Sequence, residues 1–320
     1  MSSMHKLLDI LIPTLNRDKE LIMNLKRINE YILRNHYEND IGVIISDNGS
    51  VEESFSCLKH YLENEFTCNY KLFRQKLNIG IEKNILFLLE QSSAIYVMTL
   101  GDDDYFTEEY LKTVVDYLKK GKIRGVIPNY YSVDSSGKRI NDYSRDPIAE
   151  DKIYDKRSLW ISEKGHQLSC VVFAREGVLE SYLGNVKPNV YPFIYFIAFN
   201  LKAGEIVHVT RYPFANTVLK KKNWDYKKDN LMGQLVIVFD ALPYQGFFDK
   251  NRQLYKMIRD NAGRYCYGRT FRDVNKTFQM IKSYNTSETV KFHLKTRFIL
   301  FVLESPARKL KESITRNMKK

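Results

Sequence analysis

Cysteine is scarce in this chain. There are four in 320 residues, at Cys57, Cys68, Cys170 and Cys266, and no two stand in a Cys-x-x-Cys pair. That excludes a disulfide framework and a thiolate zinc site, and it reads as reduced cytosolic thiols. No Gly-x-x-x-x-Gly-Lys-Ser/Thr loop occurs, which excludes the P-loop nucleotide site. His-Glu-x-x-His and Gly-x-Ser-x-Gly are absent as well, so neither a zinc protease nor a serine hydrolase of the elbow type is indicated. No apolar run approaches the ~20 residues that span a bilayer. The N-terminal Met1-Ser-Ser-Met-His-Lys-Leu runs straight into an apolar segment, so a cytosolic protein without a signal peptide is expected. Internal repeats and long low-complexity segments are lacking too.

What is present is an ordinary globular composition, 44% hydrophobic, with a distinct order of patterns. Asp9-Ile-Leu-Ile-Pro-Thr-Leu-Asn-Arg17 predicts a short buried strand and a polar turn. Leu21, Leu25, Ile28 and Ile32 follow at helical spacing. Ile41 to Ser50 predicts a second strand, ending in Asp-Asn-Gly-Ser, and Leu77 to Asn84 a third turn leading into a helix with Ile85, Leu88 and Leu89. Strand and helix alternate, as in a mostly parallel sheet covered on both faces.

The most telling segment is Tyr96-Val-Met-Thr-Leu-Gly-Asp-Asp-Asp-Tyr-Phe106. A β-preferring run ends in Asp102, Asp103 and Asp104, three acids that repel one another and add nothing to a core. Hard divalent cations prefer carboxylate oxygens, and α/β sheets place ligands at the carboxyl ends of their strands. The triplet therefore predicts a metal-assisted site for a phosphate-bearing substrate. The alternative is an acidic cap on the next helix, Thr107 to Lys120.

These motifs resemble the family 2 glycosyltransferases over the first ~110 residues, judged by four turns in the family's order. They are Pro13-Thr14-Leu15-Asn16-Arg17, Asp47-Asn48-Gly49-Ser50, Asn78-Ile79-Gly80 with Lys83-Asn84, and Leu100-Gly101-Asp102-Asp103-Asp104. The resemblance implies the GT-A fold, a Rossmann-like mixed sheet flanked by helices, and transfer of a sugar from a nucleotide diphosphate to an acceptor hydroxyl. It implies that Asp47 holds the nucleoside, with Pro13, Thr14 and Arg17 lining the pocket, and it adds Asn16, Asn48, Asn78, Gly80, Lys83 and Asp102 to the nucleotide-sugar site. Mn2+ or Mg2+ is the implied cofactor, on Asp102, Asp103 and Asp104.

Two departures stand out. The family's first metal-motif acid falls on Gly101. The family's acidic pair, whose Asp deprotonates the acceptor, has no counterpart in Asn189-Val-Tyr-Pro-Phe-Ile-Tyr195. Glu163 is the leading candidate base, against a solvated loop acid as the alternative. Asp146, Asp151 and Asp155 lie in a polar segment resembling a lid, and Tyr191 has too high an ordinary pKa for the task. His208 is a candidate further metal ligand or a structural histidine. Arg211 and the run Lys220-Lys221-Lys222 are candidate diphosphate clamps.

The net charge is +12, and Thr289 to Lys320 alone carries +7, from nine Lys or Arg and two Glu. In that tail Leu294, Phe298, Phe301 and Val302 form one apolar stripe, and beyond Pro306 come Ala307, Leu310, Ile314 and Met318. Basic amphipathic helices lie on anionic membranes, which suits an acceptor that is a lipid-linked glycan at the inner face of a bacterial membrane. A helix pair packed on its own domain is the alternative. The expected organisation is a transferase domain over residues 1–225 and a helical extension over 226–320, with Asn129-Tyr130-Tyr131 beginning the acceptor half. Two rivals remain. A nucleotidyltransferase is disfavoured by the lack of glycine in the first turn, and a basic binding protein with a degenerate transferase domain is kept alive by the missing base.

Overall fold

The computed structural model describes residues 5–140, 144–218, 231–261, 272 and 274–304. Lys220 to Lys222, Cys266 and the second tail stripe from Ala307 to Met318 lie outside the described residues. The chain divides into two compact units, Met1–Asn223 and Trp224–Lys320.

The first unit is built on one eight-stranded sheet of order β3-β2-β1-β4-β7-β5-β8-β6. Its strands are β1 (Leu8–Thr14), β2 (Ile41–Asp47), β3 (Tyr70–Arg74), β4 (Tyr96–Thr99), β5 (Ile123–Val133), β6 (Lys152–Tyr154), β7 (Val171–Ala174) and β8 (Glu205–Thr217). The first four are mutually parallel, β7 runs antiparallel between β4 and β5, β8 returns parallel to β5, and β6 is antiparallel at the edge. β1 and β2 are buried at every position, as a strand covered on both faces must be.

Alternation along the strands divides the core. Ile10, Ile12, Val43 and Ile45 pack with Leu21, Leu25, Ile28 and Ile32 of α1 (Asp18–Arg34), with α2 (Glu52–Asn64) and with α4 (Glu108–Lys119). The opposite face, with Leu11 and Ile44, is covered by α3 (Ile81–Gln91) and, beyond it, by α5 (Val178–Asn185) and α6 (Pro192–Ala203). A 3-10 helix, Lys156–His166, packs on α6. The whole apolar period read for α1 is therefore core. β7 begins only at Val171, because Ser169 and Cys170 turn the chain, Cys170 with φ of 65°.

The second unit is helical: α7 (Leu231–Ala241), α8 (Phe247–Asp260), α9 (Val274–Ser283) and α10 (Glu288–Leu303). Leu235, Val238, Phe239 and Leu242 are buried, as are Leu254, Met257 and Ile258. Asp240 ties the unit together, accepting from Lys250 Nζ at 2.6 Å, from Ser287 N at 2.5 Å and from Ser287 Oγ at 2.7 Å. Burial opposes ionisation of Asp240, but these donors outweigh it and hold the carboxyl below the usual range. Leu294, Phe298, Phe301 and Val302 correct one expectation: they are buried in this unit's core rather than offered to a membrane. No described helix is long and apolar enough to cross a bilayer.

Candidate active site

Three turns meet at the carboxyl ends of β1, β2 and β4. The parallel register sets Thr14 beside Asp47 and Leu11 beside Thr99, so each strand delivers its turn to the same edge. Thr14 Oγ1 donates to Asp102 Oδ2 at 2.9 Å. Arg17 Nη1 reaches Asp102 Oδ1 at 2.9 Å and Asp103 Oδ2 at 2.7 Å. Asn16, left-handed with φ of 54°, receives Val51 N on Oδ1 at 2.9 Å, while its own N–H donates to Ser50 Oγ at 2.7 Å.

The β2 turn is locked in the same way. Asp47 accepts from Ser50 N and Ser50 Oγ and lies 3.6 Å from Arg74 Nε. Asn48 N donates to Thr14 O at 2.8 Å; Asn48 Nδ2 donates to Asn78 Oδ1 at 3.0 Å, and Asn48 Oδ1 accepts from Ile79 N at 3.0 Å. Gly49 sits at φ of +85°, and a Cβ there would come within 2.8 Å of the Leu77 carbonyl carbon. Only glycine lets the second and third turns touch. Gly80 N donates to Asn78 Oδ1 at 2.9 Å, and Lys83 is exposed on the first turn of α3. Pro13, Thr14, Asn16, Arg17, Asp47, Asn48, Asn78 and Gly80 are thus brought to one edge with Asp102.

The acidic triplet divides in function. Asp102 and Asp103 converge on one guanidinium nitrogen, whereas Asp104 is turned away. Its Oδ2 accepts from Ser169 Oγ at 2.5 Å and its Oδ1 from Thr217 N at 2.7 Å, with Asn216 Nδ2 at 3.2 Å. Asn24, buried in α1, donates to the Asp104 carbonyl at 2.6 Å. The cap of α4 is Thr107, which accepts from Tyr110 N. The helix-cap alternative for the acids therefore fails. Gly101 donates its N–H to Ser169 Oγ at 2.9 Å, and a Cβ there would lie 3.0 Å from that oxygen and 3.3 Å from Asp104 Oδ2. A side chain at position 101 would therefore press on this packing.

Burial raises all three carboxyls. Asp102 is pushed up to about 6, by burial first, against the pull of Arg17. Asp104 is pushed up to about 7, by burial and then by the charge of Asp103. Asp103 is raised by burial too. For Arg17, burial works against charge, but the two acids outweigh it and raise the guanidinium further. Carboxyls held this way gain from additional positive charge. Among the described residues no group of three or more His, Cys, Asp or Glu is arranged to hold a metal ion. Asp102 Oδ1 and Asp103 Oδ2 converge on Arg17 Nη1; two carboxylates plus substrate phosphates are a donor set that Mg2+ commonly takes, and an ion at that point would take the place of the guanidinium.

Other candidates are placed elsewhere. His208 pairs in register with Ile127, whereas Asn216, beside Asp104, pairs with Ser132, about 16 Å further along β5 at ~3.3 Å per residue. The structure does not bring His208 to the triplet. Its Nε2 lies 3.3 Å from Asp146 Oδ2, out of line for a hydrogen bond. Asp146 also pairs with Arg145 and Lys164. Asp151 holds Arg211 at 2.7 Å, and Asp155 caps the 3-10 helix through Arg157 N. The three acids of the expected lid are thus structural. Glu163 lies in the 3-10 helix, 3.9 Å from His166 Nδ1. Tyr191 is the N-terminal flanking residue of α6.

One acid escaped the sequence reading. Glu82, on the first turn of α3, reaches the segment before α6: its Oε1 accepts from Asn189 N at 2.7 Å and from Tyr182 Oη at 2.6 Å. Among the described residues its Oε2 accepts no hydrogen bond. The segment that lacks an acid of its own is given one from another element.

Comparison with known proteins now places the chain. The model of "Glycosyl transferase family 2" matches residues 9–182. The chain belongs to glycosyl transferase family 2. Solved structures with a similar fold include S. aureus TarS 1-349 in complex with UDP-GlcNAc, at TM-score 0.63 and 12% identity, covering 94% of this chain and 92% of that one. TarS 1-349 alone matches at TM-score 0.63 and 11% identity, covering 94% and 91%. The mannosyltransferase PcManGT from Pyrobaculum calidifontis, in complex with GDP-Man and Mn2+, matches at TM-score 0.53 and 12% identity, covering 94% and 87%. A search of curated protein sequences returns no match. The GT-A architecture and the glycosyltransferase class expected from the four turns both hold.

Proposed function

We propose that this family 2 glycosyltransferase uses a nucleoside diphosphate sugar and a divalent cation, and that its acceptor is a lipid-linked glycan at the inner face of a bacterial membrane, in surface-polysaccharide synthesis. The observation that carries the reading is the convergence of Thr14 and Arg17 from the first turn on Asp102 and Asp103 from the fourth. The nucleotide-binding TarS and PcManGT structures share the fold and support the donor class.

In this reading Asp47 and Asn48 form the nucleoside wall, and Asp102 and Asp103 hold Mn2+ or Mg2+, which supplies compensation for the charge developing on the departing diphosphate. Asp104 contributes by fixing the turn. In the ion-free protein Arg17 pairs with Asp102 and Asp103 and aims them together. The acceptor oxygen bonds to the anomeric carbon as the sugar–phosphate C–O bond breaks, and its proton passes to a carboxylate. Glu82 is assigned that role: Oε1 is held by two donors and Oε2 is left to accept. Glu163 is the second candidate.

The test is incubation of the full chain with UDP-, dTDP-, CDP- and GDP-sugars, Mn2+ and membrane extract as acceptor. Release of the matching nucleoside diphosphate supports the reading. Release of pyrophosphate would support the nucleotidyltransferase rival instead. No turnover of any donor, with cellular activity surviving Asp103→Asn, would support the degenerate binding protein.

A further inference from the structure

The second unit shows an apolar face that its own core does not use. On α8, Phe248 is 87% exposed and Phe247 68%, and Tyr255, two turns on, is partly open. On α10, Phe292 is 65% exposed, and Ile299 and Leu303 follow it at helical spacing, also exposed. The buried sides of these helices are different residues: Leu254, Met257 and Ile258 on one, Leu294, Phe298 and Val302 on the other. The two exposed stripes adjoin. His293 of α10 stands between them, with Nε2 2.9 Å from Asn251 Oδ1, its ring 6.3 Å from Tyr255 and 5.8 Å from Phe292. A helix that is apolar on its core side and again on its outer side has a second apolar environment to meet.

Charge identifies that environment. Residues 224–320 contain 20 Lys or Arg and 9 Asp or Glu, a net +11, which leaves +1 for the first unit. A second copy of the unit would bring an equal positive charge against it. A nucleic acid offers phosphates and base faces, but no apolar phase for Ile299 and Leu303. An anionic lipid surface offers both negative charge and hydrocarbon, and Phe and Leu set among cations are what an interfacial helix presents to it.

We infer that the joined outer faces of α8 and α10 are the membrane-docking surface, with Phe247, Phe248 and Phe292 entering the headgroup–acyl boundary of an anionic leaflet. The inference deepens the proposed lipid-linked acceptor and rests on that reading. It moves the contact from the buried stripe of α10 to its opposite side, and it draws in α8, in which no amphipathic membrane helix had been read.

The experiment is flotation of the full chain with phosphatidylcholine vesicles, with and without phosphatidylglycerol, beside the triple variant Phe247→Ser, Phe248→Ser, Phe292→Ser. The wild type is expected on anionic vesicles, released by high salt, with at least a tenfold loss of affinity in the triple variant. Phe248→Trp is expected to gain blue-shifted emission that brominated lipid quenches. Donor hydrolysis in solution separates the two readings: if it stays at the wild-type level in the triple variant, vesicle binding has been lost without damage to the transferase. If no donor is hydrolysed by either protein but vesicle binding still depends on the three rings, docking stands and the transferase reading falls. Wild-type vesicle binding by the triple variant would overturn the inference. So would failure of the wild type to prefer anionic vesicles, a dimer of the wild type that the triple variant dissolves, or oligonucleotide binding that the triple variant loses.

Discussion

Replacing Asp104 tests whether the three adjacent acids do different work. Asp104→Ala strands the Ser169 hydroxyl and the Thr217 N–H, while Asn216 is open enough to find water. A buried donor left without its acceptor costs about 1–3 kcal/mol, so the two together predict a loss of about 2–5 kcal/mol. For a unit of this size that corresponds to a fall in melting temperature of roughly 5–15 °C. Asp104→Asn behaves differently. Its Oδ1 can keep Thr217 N–H, and its amide can donate to Ser169 Oγ, which has a lone pair to spare beside the one taken by Gly101 N–H. The expected cost is under about 1 kcal/mol. The assay is thermal unfolding of both variants by circular dichroism, with calorimetric binding of Mn2+ and nucleotide to Asp104→Asn. Survival of binding in Asp104→Asn and its loss in Asp103→Asn is the expected pair. Loss of binding in Asp104→Asn with its fold intact would refute the structural assignment, as would equal destabilisation by Asn and Ala.

Three further outcomes are expected. Glu82→Gln keeps the acceptor atom facing Asn189 and Tyr182, so melting temperature and donor KM stay near wild type while kcat falls at least ~100-fold; Glu163→Gln changes kcat only a few-fold, and the reverse result would reassign the base. Arg17→Ala leaves Asp102 and Asp103 without their shared cation and costs about 1–2 kcal/mol of stability, with Mn2+ restoring more of it than in the wild type; thermal unfolding with and without the ion reads this. Ionisable groups of the first unit pull its stability in opposite directions on acidification. Burial, chiefly, lowers the His208 pKa, so below its unfolded value the unfolded chain takes up a proton that the fold refuses. Asp146 acts in the same direction at lower pH: burial raises it, but the nearby His208 ring, the bond from Lys164 and the charge of Arg145 outweigh that and hold it far below the carboxylate range. Asp102 and Asp104, raised to about 6 and about 7, act the other way, since the fold takes up their protons first, so His208→Gln should raise the melting temperature at pH ~5 relative to wild type while leaving the difference at pH ~8 small.

Much of the nucleotide half was legible in the sequence because its signals are local. Leu21, Leu25, Ile28 and Ile32 announce α1 by spacing alone, and each of the four turns falls within a few consecutive residues. The remainder depends on partners far along the chain. Nothing local distinguishes Asp104 from Asp103; the difference is made by Ser169, Asn216 and Thr217, which β7 and β8 bring in from other elements. Three ordinary polar residues in separate segments carry no pattern. Glu82 was hidden for the same reason, although its place one turn after Asn78-Ile79-Gly80, at a helix start facing the ligand edge, is a signal that could have found it. The stripe in α10 was recognised with two possible covers, a membrane or its own domain, and the second holds, since periodicity shows that a helix has an apolar face but not which neighbour covers it. His208 and Asp146 were read separately because it takes Asn129 of β5, holding the Asp146 backbone, to bring that acid beside β8.

The central claim is that the turn edge at Thr14, Arg17, Asp102 and Asp103 binds a nucleoside diphosphate together with a divalent ion. The most direct measurement is calorimetric titration of the full chain with UDP, dTDP, CDP and GDP, each with Mn2+ and with a chelator. One nucleotide is expected to bind, to require the ion, and to lose its binding in Asp103→Asn. Failure of all four to bind with Mn2+ present, or binding that the chelator and Asp103→Asn leave unchanged, would contradict it.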